Sequence, residues 1–60
     1  MKKNYKDFYG CTASITVYRD GRAKLVIRTP GNKYVTRGEY KTERGARIAM
    51  GRASDCWRQI

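Results

Sequence analysis

The stretch that decides the fold is TASITVYRDGRAKLVIRT, residues 12–29, in which two runs of alternating apolar and polar residues flank an Asp-Gly pair. A period of two with β-branched residues is typical of strands that bury one face. Asp20-Gly21 favours a tight hairpin turn in which both central residues take positive φ. The stretch therefore predicts a hairpin with one apolar face. That face carries Ala13, Ile15, Val17, Ala23, Leu25 and Ile27.

A second turn and a third strand are predicted after the hairpin. Pro30-Gly31-Asn32 has the residue order of a type II turn, and residues 33–40 form the next strand. Gly38 is typical of a bulge, so the parity of this strand stays open. The pair that faces away from the core is either Tyr34 with Thr36 or Val35 with Arg37.

From Thr42 onward the apolar residues recur at helical spacing. Thr42 is a suitable N-cap, and Glu43 lies in the first turn, where the helix dipole favours a carboxylate. The predicted apolar stripe runs to the end of the chain through Ala46, Ala49, Met50, Ala53, Cys56, Trp57 and Ile60. The fold class is therefore α+β, with a three-stranded antiparallel sheet packed against one C-terminal helix.

The domain organisation follows from these elements. Residues 1–9 are interpreted as a mobile, basic N-terminal tip, and residues 10–60 as a single three-strand-plus-helix domain. The last aromatic residues of the tip, Phe8 and Tyr9, are expected to fold back on the domain. Sixty residues leave room for one core and no second module.

Composition argues against an enzyme. The chain has no His, and each of its five acidic residues is isolated, so no pair is placed for acid–base chemistry. We expect no catalytic residue, metal site, cofactor or small-molecule substrate. Cys11 and Cys56 are interpreted as reduced, half-buried thiols, and a bridge between them would require the chain end to return to the strand that begins at Thr12.

The location of the protein is inferred from what the sequence lacks. No apolar run approaches the roughly 18 residues of a membrane span, and the basic start is not followed by the apolar stretch of an export signal. A cytoplasmic, reducing compartment is therefore predicted. A membrane partner is not expected, because the apolar stripe of the helix is mostly Ala and is needed for the sheet.

The charge of the chain points to a polyanion. Fourteen Lys and Arg against five Asp and Glu give a net charge of +9, and repulsion among these charges opposes folding of so small a core. One helix covers one face of the sheet, so the other face is left to bind nucleic acid. The candidate residues are Ser14, Thr16, Tyr18, Arg19, Arg22, Lys24, Arg28, Lys33 and Arg37.

Three segments carry a resemblance to known families. GEYKTERGARIAMGRA, residues 38–53, resembles the strand-to-helix signature of the plant ethylene-response-factor DNA-binding domain. Phe8-Tyr9-Gly10-Cys11 is similar to the Tyr-Arg-Gly-Val that opens that domain, and Gly21-Arg22-Ala23 to its Gly-Lys-Trp. The arm-binding domain of tyrosine recombinases (integrases) is also similar in its order of elements and its length.

The resemblance implies a mode of binding. In these families the sheet face enters the DNA major groove, which implies contacts at or beside Arg22, Val26 and Arg28. Tyr9 stands where the family has a base-contacting Arg, and Ala23 where it has a contacting Trp, so no sequence preference is carried over. Residues 42–47 also resemble the helix start of the double-stranded-RNA-binding domain, with Glu43 in place of a phosphate-binding Lys.

The sequence thus predicts a small, non-catalytic, monomeric protein that binds duplex DNA in the major groove. Its role would be that of a recombination accessory or regulator of the phage or mobile-element type. The alternative is a small interaction protein that inhibits a host or partner protein by binding an acidic surface. A further alternative is binding to double-stranded RNA. Two-fold pairing through an edge strand also stays open.

Overall fold

The computed structural model describes residues 1–60 and contains five antiparallel strands and one helix. The strands are β1 (Lys2–Lys6), β2 (Thr12–Val17), β3 (Ala23–Arg28), β4 (Val35–Tyr40) and β5 (Arg58–Gln59), and the helix α1 is Glu43–Ala53. A short 3₁₀ turn covers Pro30–Asn32. The strand order is β4-β3-β2-β1-β5. An α+β fold with an antiparallel sheet and one helix is therefore confirmed.

The sheet has five strands rather than the three that were predicted. The segment interpreted as a mobile tip is β1, which pairs with β2 from Lys2 opposite Thr16 to Lys6 opposite Thr12. Tyr5 anchors this strand because its side chain belongs to the buried core. The aromatic residues that follow do not fold back, since Phe8 is 83% exposed and Tyr9 is 73% exposed.

The helix ends earlier than its apolar stripe predicted. Ser54 takes extended backbone angles, and the indole Nε1 of Trp57 donates to the Met50 carbonyl oxygen at 2.8 Å, which satisfies one of the open carbonyl groups of the last turn. The chain then returns beside β1, where Arg58 lies opposite Lys6. The helix is consequently not the last element. At its start, the predicted N-cap is confirmed, since Thr42 Oγ1 accepts from Gly45 N at 3.1 Å.

The first hairpin turn lies where it was predicted but has a different geometry. Gly21 has a φ of 93°, whereas Asp20 does not take a positive φ. Tyr18 N donates to Arg22 O at 2.8 Å, and Gly21 N donates to Tyr18 O at 3.0 Å. This is the pattern of a three-residue loop, a type I turn followed by a left-handed glycine. The second turn fits type II, because Gly31 has φ 71° and ψ 11°.

The register of β4 resolves the parity of the third predicted strand. Arg28 lies opposite Val35 and Val26 opposite Arg37, so these β4 residues are the pair that faces away from the core. Gly38 marks no bulge, because it lies directly opposite Leu25. Its lack of a side chain is explained by the Tyr40 ring, whose hydroxyl would be 3.0 Å from a Cβ at this position.

The core lies between α1 and the face of the sheet that carries the odd-numbered residues of β2 and β3. Its buried members are Tyr5, Ala13, Ile15, Ala23, Leu25, Ala46 and Met50. Ala46 and Ile15 are completely buried. Ala on both the helix and the sheet brings the two layers close together, and the opposite face of the sheet stays uncovered. This packing confirms the predicted covering of the apolar hairpin face.

The close contact between helix and sheet predicts a position-dependent response to a larger side chain. Ala46→Leu should lower the free energy of unfolding by about 1–3 kcal/mol, because the added atoms have no space. Ala53→Leu is the matched control at the exposed last residue of the same helix and should change it by less than about 0.5 kcal/mol. Urea denaturation followed by circular dichroism measures both. Equal effects at the two positions would contradict the close contact of Ala46 with the sheet.

Candidate functional site

The open face is the side of the sheet turned away from α1, and its residues form three cross-strand rows. The first row is Val35, Arg28, Thr12, Lys6 and Arg58. The middle row is Arg37, Val26, Ser14 and Asn4. The third row is Glu39, Lys24, Thr16 and Lys2. Residues directly opposite each other project to the same side of an antiparallel sheet, so each row forms a continuous strip of side chains.

The positive charge of the open face is not compensated within the chain. Three salt bridges are formed, Lys3–Glu43, Arg47–Glu43 and Arg22–Asp20, and none includes a residue of the three rows. Glu39 is the single acid among them. The six unpaired cations of the open face are Lys2, Lys6, Lys24, Arg28, Arg37 and Arg58. This face is therefore a concentrated positive surface available to an anionic partner.

Five of the six cations stand in the two outer rows, three in the first row and two in the third. Lys24 and Arg28 are four residues apart on β3, which separates the outer rows by about 13 Å along the strand direction. Of the middle row only Arg37, on the edge strand β4, carries a charge. The first row thus has a net charge of +3, and Glu39 reduces the net charge of the third row to +1, the same as that of the middle row.

The centre of the open face is a shallow depression. It has a volume of about 190 Å³, and Asn4, Thr12 and Ser14 supply its amide and hydroxyl groups. Lys2 and Arg28 lie at its margin, together with Ile60, whose backbone N donates to Asn4 O at 2.8 Å. Short polar side chains between longer cationic ones leave room for a ligand to approach the sheet. Amide and hydroxyl groups there can donate to phosphate oxygens or to base edges.

The structure brings five of the nine predicted site residues together on the open face. These are Ser14, Thr16, Lys24, Arg28 and Arg37. Tyr18 and Arg19 lie at the end of the β2–β3 hairpin, and Tyr18 is 44% exposed. Lys33 lies next to the 3₁₀ turn, where its Nζ is 5.7 Å from the centre of the Tyr34 ring. These three residues border the face without belonging to its rows.

Arg22 differs from the other predicted cations because an acid within the hairpin holds it. Its Nε donates to Asp20 Oδ2 at 2.7 Å, and its backbone N donates to Oδ1 of the same carboxylate at 3.1 Å. These two hydrogen bonds and the positive charge lower the pKa of Asp20 below its usual value. Arg22 therefore enters the site region already paired, at the rim and not in the rows.

Four residues of the open face were missed by the sequence analysis. Lys2, Asn4, Lys6 and Arg58 lie on β1 and β5, the two strands that were not predicted. The alternation of Lys2, Asn4 and Lys6 with the half-buried Lys3 and the buried Tyr5 is the one signal that could have revealed β1. Nothing local marks β5, which exists because Trp57 and the chain after it return to the sheet.

The β1–β2 turn next to the open face is held by a buried carboxylate. Asp7 is 7% exposed, and its Oδ1 accepts from Cys11 N at 2.7 Å. The turn projects Phe8 and Tyr9 into solvent, with their rings edge to face at 5.8 Å. Burial, followed by the charge of Asp7, raises the pKa of the Cys11 thiol, which keeps this thiol protonated at neutral pH. Both Cys11 and Cys56 are free and half-buried.

Comparison with known proteins gives no match to a protein-family model, a curated protein or a solved structure. The one helix, α1, is 11 residues long, and no helix has the length and apolar character needed to cross a membrane.

Proposed function

We propose that the open face binds duplex DNA by entering the major groove. The observation that carries this proposal is the placement of five of the six cations in the two outer rows, about 13 Å apart, with the uncharged Val26, Ser14 and Asn4 in the row between them. The major groove of B-DNA is about 12 Å wide and is bordered by two phosphate backbones. The outer rows would contact the two backbones, and the middle row would face the base edges.

The electrostatic state of the face supports the proposal. None of its six cations is neutralised by an acid of the chain within salt-bridge distance. Such a concentration of like charge opposes folding, and phosphates would relieve that repulsion. Phosphate contacts also release counterions from DNA, which makes them favourable at low salt. The uncovered, hydrogen-bonding centre of the face adds groups that fit a base edge.

In this binding mode, the side chains of the middle row determine which DNA bases are preferred. Arg37 can donate two hydrogen bonds to guanine, and Asn4 can pair with adenine, each discriminating by about 1–3 kcal/mol. Ser14 between them bonds to any base, and Val26 offers a contact to a thymine methyl group. With two discriminating side chains at opposite ends of the row, weak sequence preference is expected. A role as a recombination accessory or regulator of a phage or mobile element remains a hypothesis built on the resemblance.

The alternatives find less support in the geometry. The double-stranded-RNA-binding resemblance implies a helix before the first sheet strand, where this chain has β1 and an eleven-residue helix only after β4. The partner-inhibition alternative would use the helix side, where Arg44 and Arg52 are exposed and Arg47 is tied to Glu43. Ile48, 51% exposed on this helix, is the observation that favours it. The open face carries more unpaired charge than the helix side does.

The binding experiment compares two double variants with the same loss of charge. Arg28→Ala with Arg58→Ala, both in the first row, should weaken binding to a duplex of mixed sequence at least about tenfold. Arg44→Ala with Arg52→Ala removes two arginines from the helix side and should change affinity by less than about twofold. Fluorescence anisotropy with duplex DNA measures both. Equal losses in the two variants would contradict the assignment of the open face.

Salt dependence tests the number of phosphate contacts. For the unaltered chain, log affinity should fall with log salt at a slope of roughly −5 if the six cations each neutralise one phosphate, and the first-row double variant should reduce that slope by about 2. Parallel titrations with duplex RNA and single strands decide between the nucleic acids. Absence of any DNA binding at low salt would reject the proposed function.

Arg22 tests whether DNA affinity depends on the position of a cation on the open face or only on the total charge of the chain. Arg22→Ala should change DNA affinity by less than about twofold, because the guanidinium lies at the end of the hairpin, outside the three rows, where it contacts Asp20. The comparison is the single variant Arg28→Ala, at the other end of β3, which should lose more DNA affinity than Arg22→Ala. The same anisotropy titration measures both. A larger loss for Arg22 than for Arg28 would show that the hairpin end, and not the sheet, makes the contact.

A further inference from the structure

The outer edge of β4 has backbone groups with no partner in the chain. β4 is the terminal strand of the sheet, six residues long, and pairs only with β3. Tyr34 O accepts from Thr29 N at 3.0 Å, which fixes the phase of the β3–β4 ladder. Hydrogen bonding alternates along an antiparallel strand, so the N–H and C=O groups of Val35, Arg37 and Glu39 point away from β3. Such an edge is a template for another strand.

We infer that β4 pairs in antiparallel fashion with β4 of a second copy of this chain, about a two-fold axis at Gly38. The phase of the ladder allows two registers that overlap most of the strand, one centred on Arg37 and one on Gly38. In the first, Arg37 lies opposite the same residue of the partner, and like charges directly opposite are destabilising. In the second, Arg37 lies opposite Glu39 of the other copy, twice by symmetry.

The side chains of β4 are available for this register. Neither Arg37 nor Glu39 forms a salt bridge within the chain, and both project from the open face. Glu39 is the one acid of that face, and it stands two residues from Arg37 on the same strand. A Gly38 pair at the centre falls at a non-hydrogen-bonded site, where opposite Cα atoms approach to about 4.5 Å and side chains would be closest.

The other edge of the sheet does not offer the same surface. β5 has two residues, and very short edge strands are poor templates for pairing. β4 has neither a proline nor a bulge to interrupt a ladder. Pairing at β4 makes one continuous sheet with both open faces on the same side, because the axis is perpendicular to the sheet. This inference does not depend on the DNA proposal. In the dimer, Arg37 is paired with Glu39 of the other copy, so the continuous basic face would offer the remaining five cations of each chain.

The test is a charge reversal with rescue. Arg37→Glu and Glu39→Arg each turn both intermolecular ion pairs into like-charge pairs, and each should weaken dimerisation about tenfold or more. The double variant Arg37→Glu with Glu39→Arg restores opposite charges and should dimerise within about threefold of the unaltered chain. Arg44→Glu, a reversal on the helix side, should have no effect. Sedimentation equilibrium over a hundredfold range of concentration measures all of these constants.

The possible results either establish or overturn the β4–β4 pairing. A species of twice 7.0 kDa for the unaltered chain, lost in both single variants and regained in the double variant, establishes the pairing and its register. Slow amide exchange at Arg37 and Glu39 of the dimer adds direct evidence for the new ladder. A chain that stays at 7.0 kDa at every concentration overturns the inference, as do single variants that dimerise normally or a double variant that is not rescued. Far-ultraviolet circular dichroism confirms that each variant is folded.

Discussion

The rest of the structure depends on the close contact between the small side chains of α1 and the hairpin of β2 and β3. A chain of 60 residues has apolar surface for one core, so a single helix can cover a single face of the sheet. Ala46, completely buried, lets the helix lie close to Ile15 and Leu25. Once that face is covered, the reverse of the sheet has to remain solvated. The polar character of that face therefore follows from how the core is closed, whereas its positive charge does not.

The parts of the fold that local pattern controls were predictable, and the parts that tertiary contacts control were not. The hairpin around Gly21 and the helix start at Thr42 follow from period and capping chemistry, and the structure has both. The segment Lys2–Lys6 carries one strongly apolar residue, Tyr5, so its alternation is too weak to predict a strand. At the other end, Trp57 continues a helical period although the helix stops at Ala53, because an apolar residue that returns to the core can keep that spacing by coincidence.

In the candidate site, too, residues placed by local pattern were predictable and residues placed by tertiary contacts were not. Lys24 and Arg28 were correctly predicted to lie on the uncovered face, because alternate residues of a strand point to the same side of the sheet. The observed register of β2 and β3 agrees with this prediction. The sequence analysis also assigned Arg22 to that face, and it could not foresee that this guanidinium pairs with Asp20, because the pairing depends on the exact loop geometry. It also missed the cations of β1 and β5. Their addition changes the physical picture from a line of charge on one strand to two cationic rows that cross the sheet.

The position of the single acid on the open face gives that face a direction. Glu39 lies at the β4 edge, opposite Lys24, while the first row at the other end of the strands contains no acid. The field of the face is therefore strongest along the first row, toward Arg58, and weakest at the corner where Glu39 stands. A polyanion would be drawn to the strong end, whereas association of two like-charged copies is least opposed at the weak corner. One distribution of charge thus favours an anionic ligand over most of the face and leaves the β4 edge as the place where a second positive chain can approach.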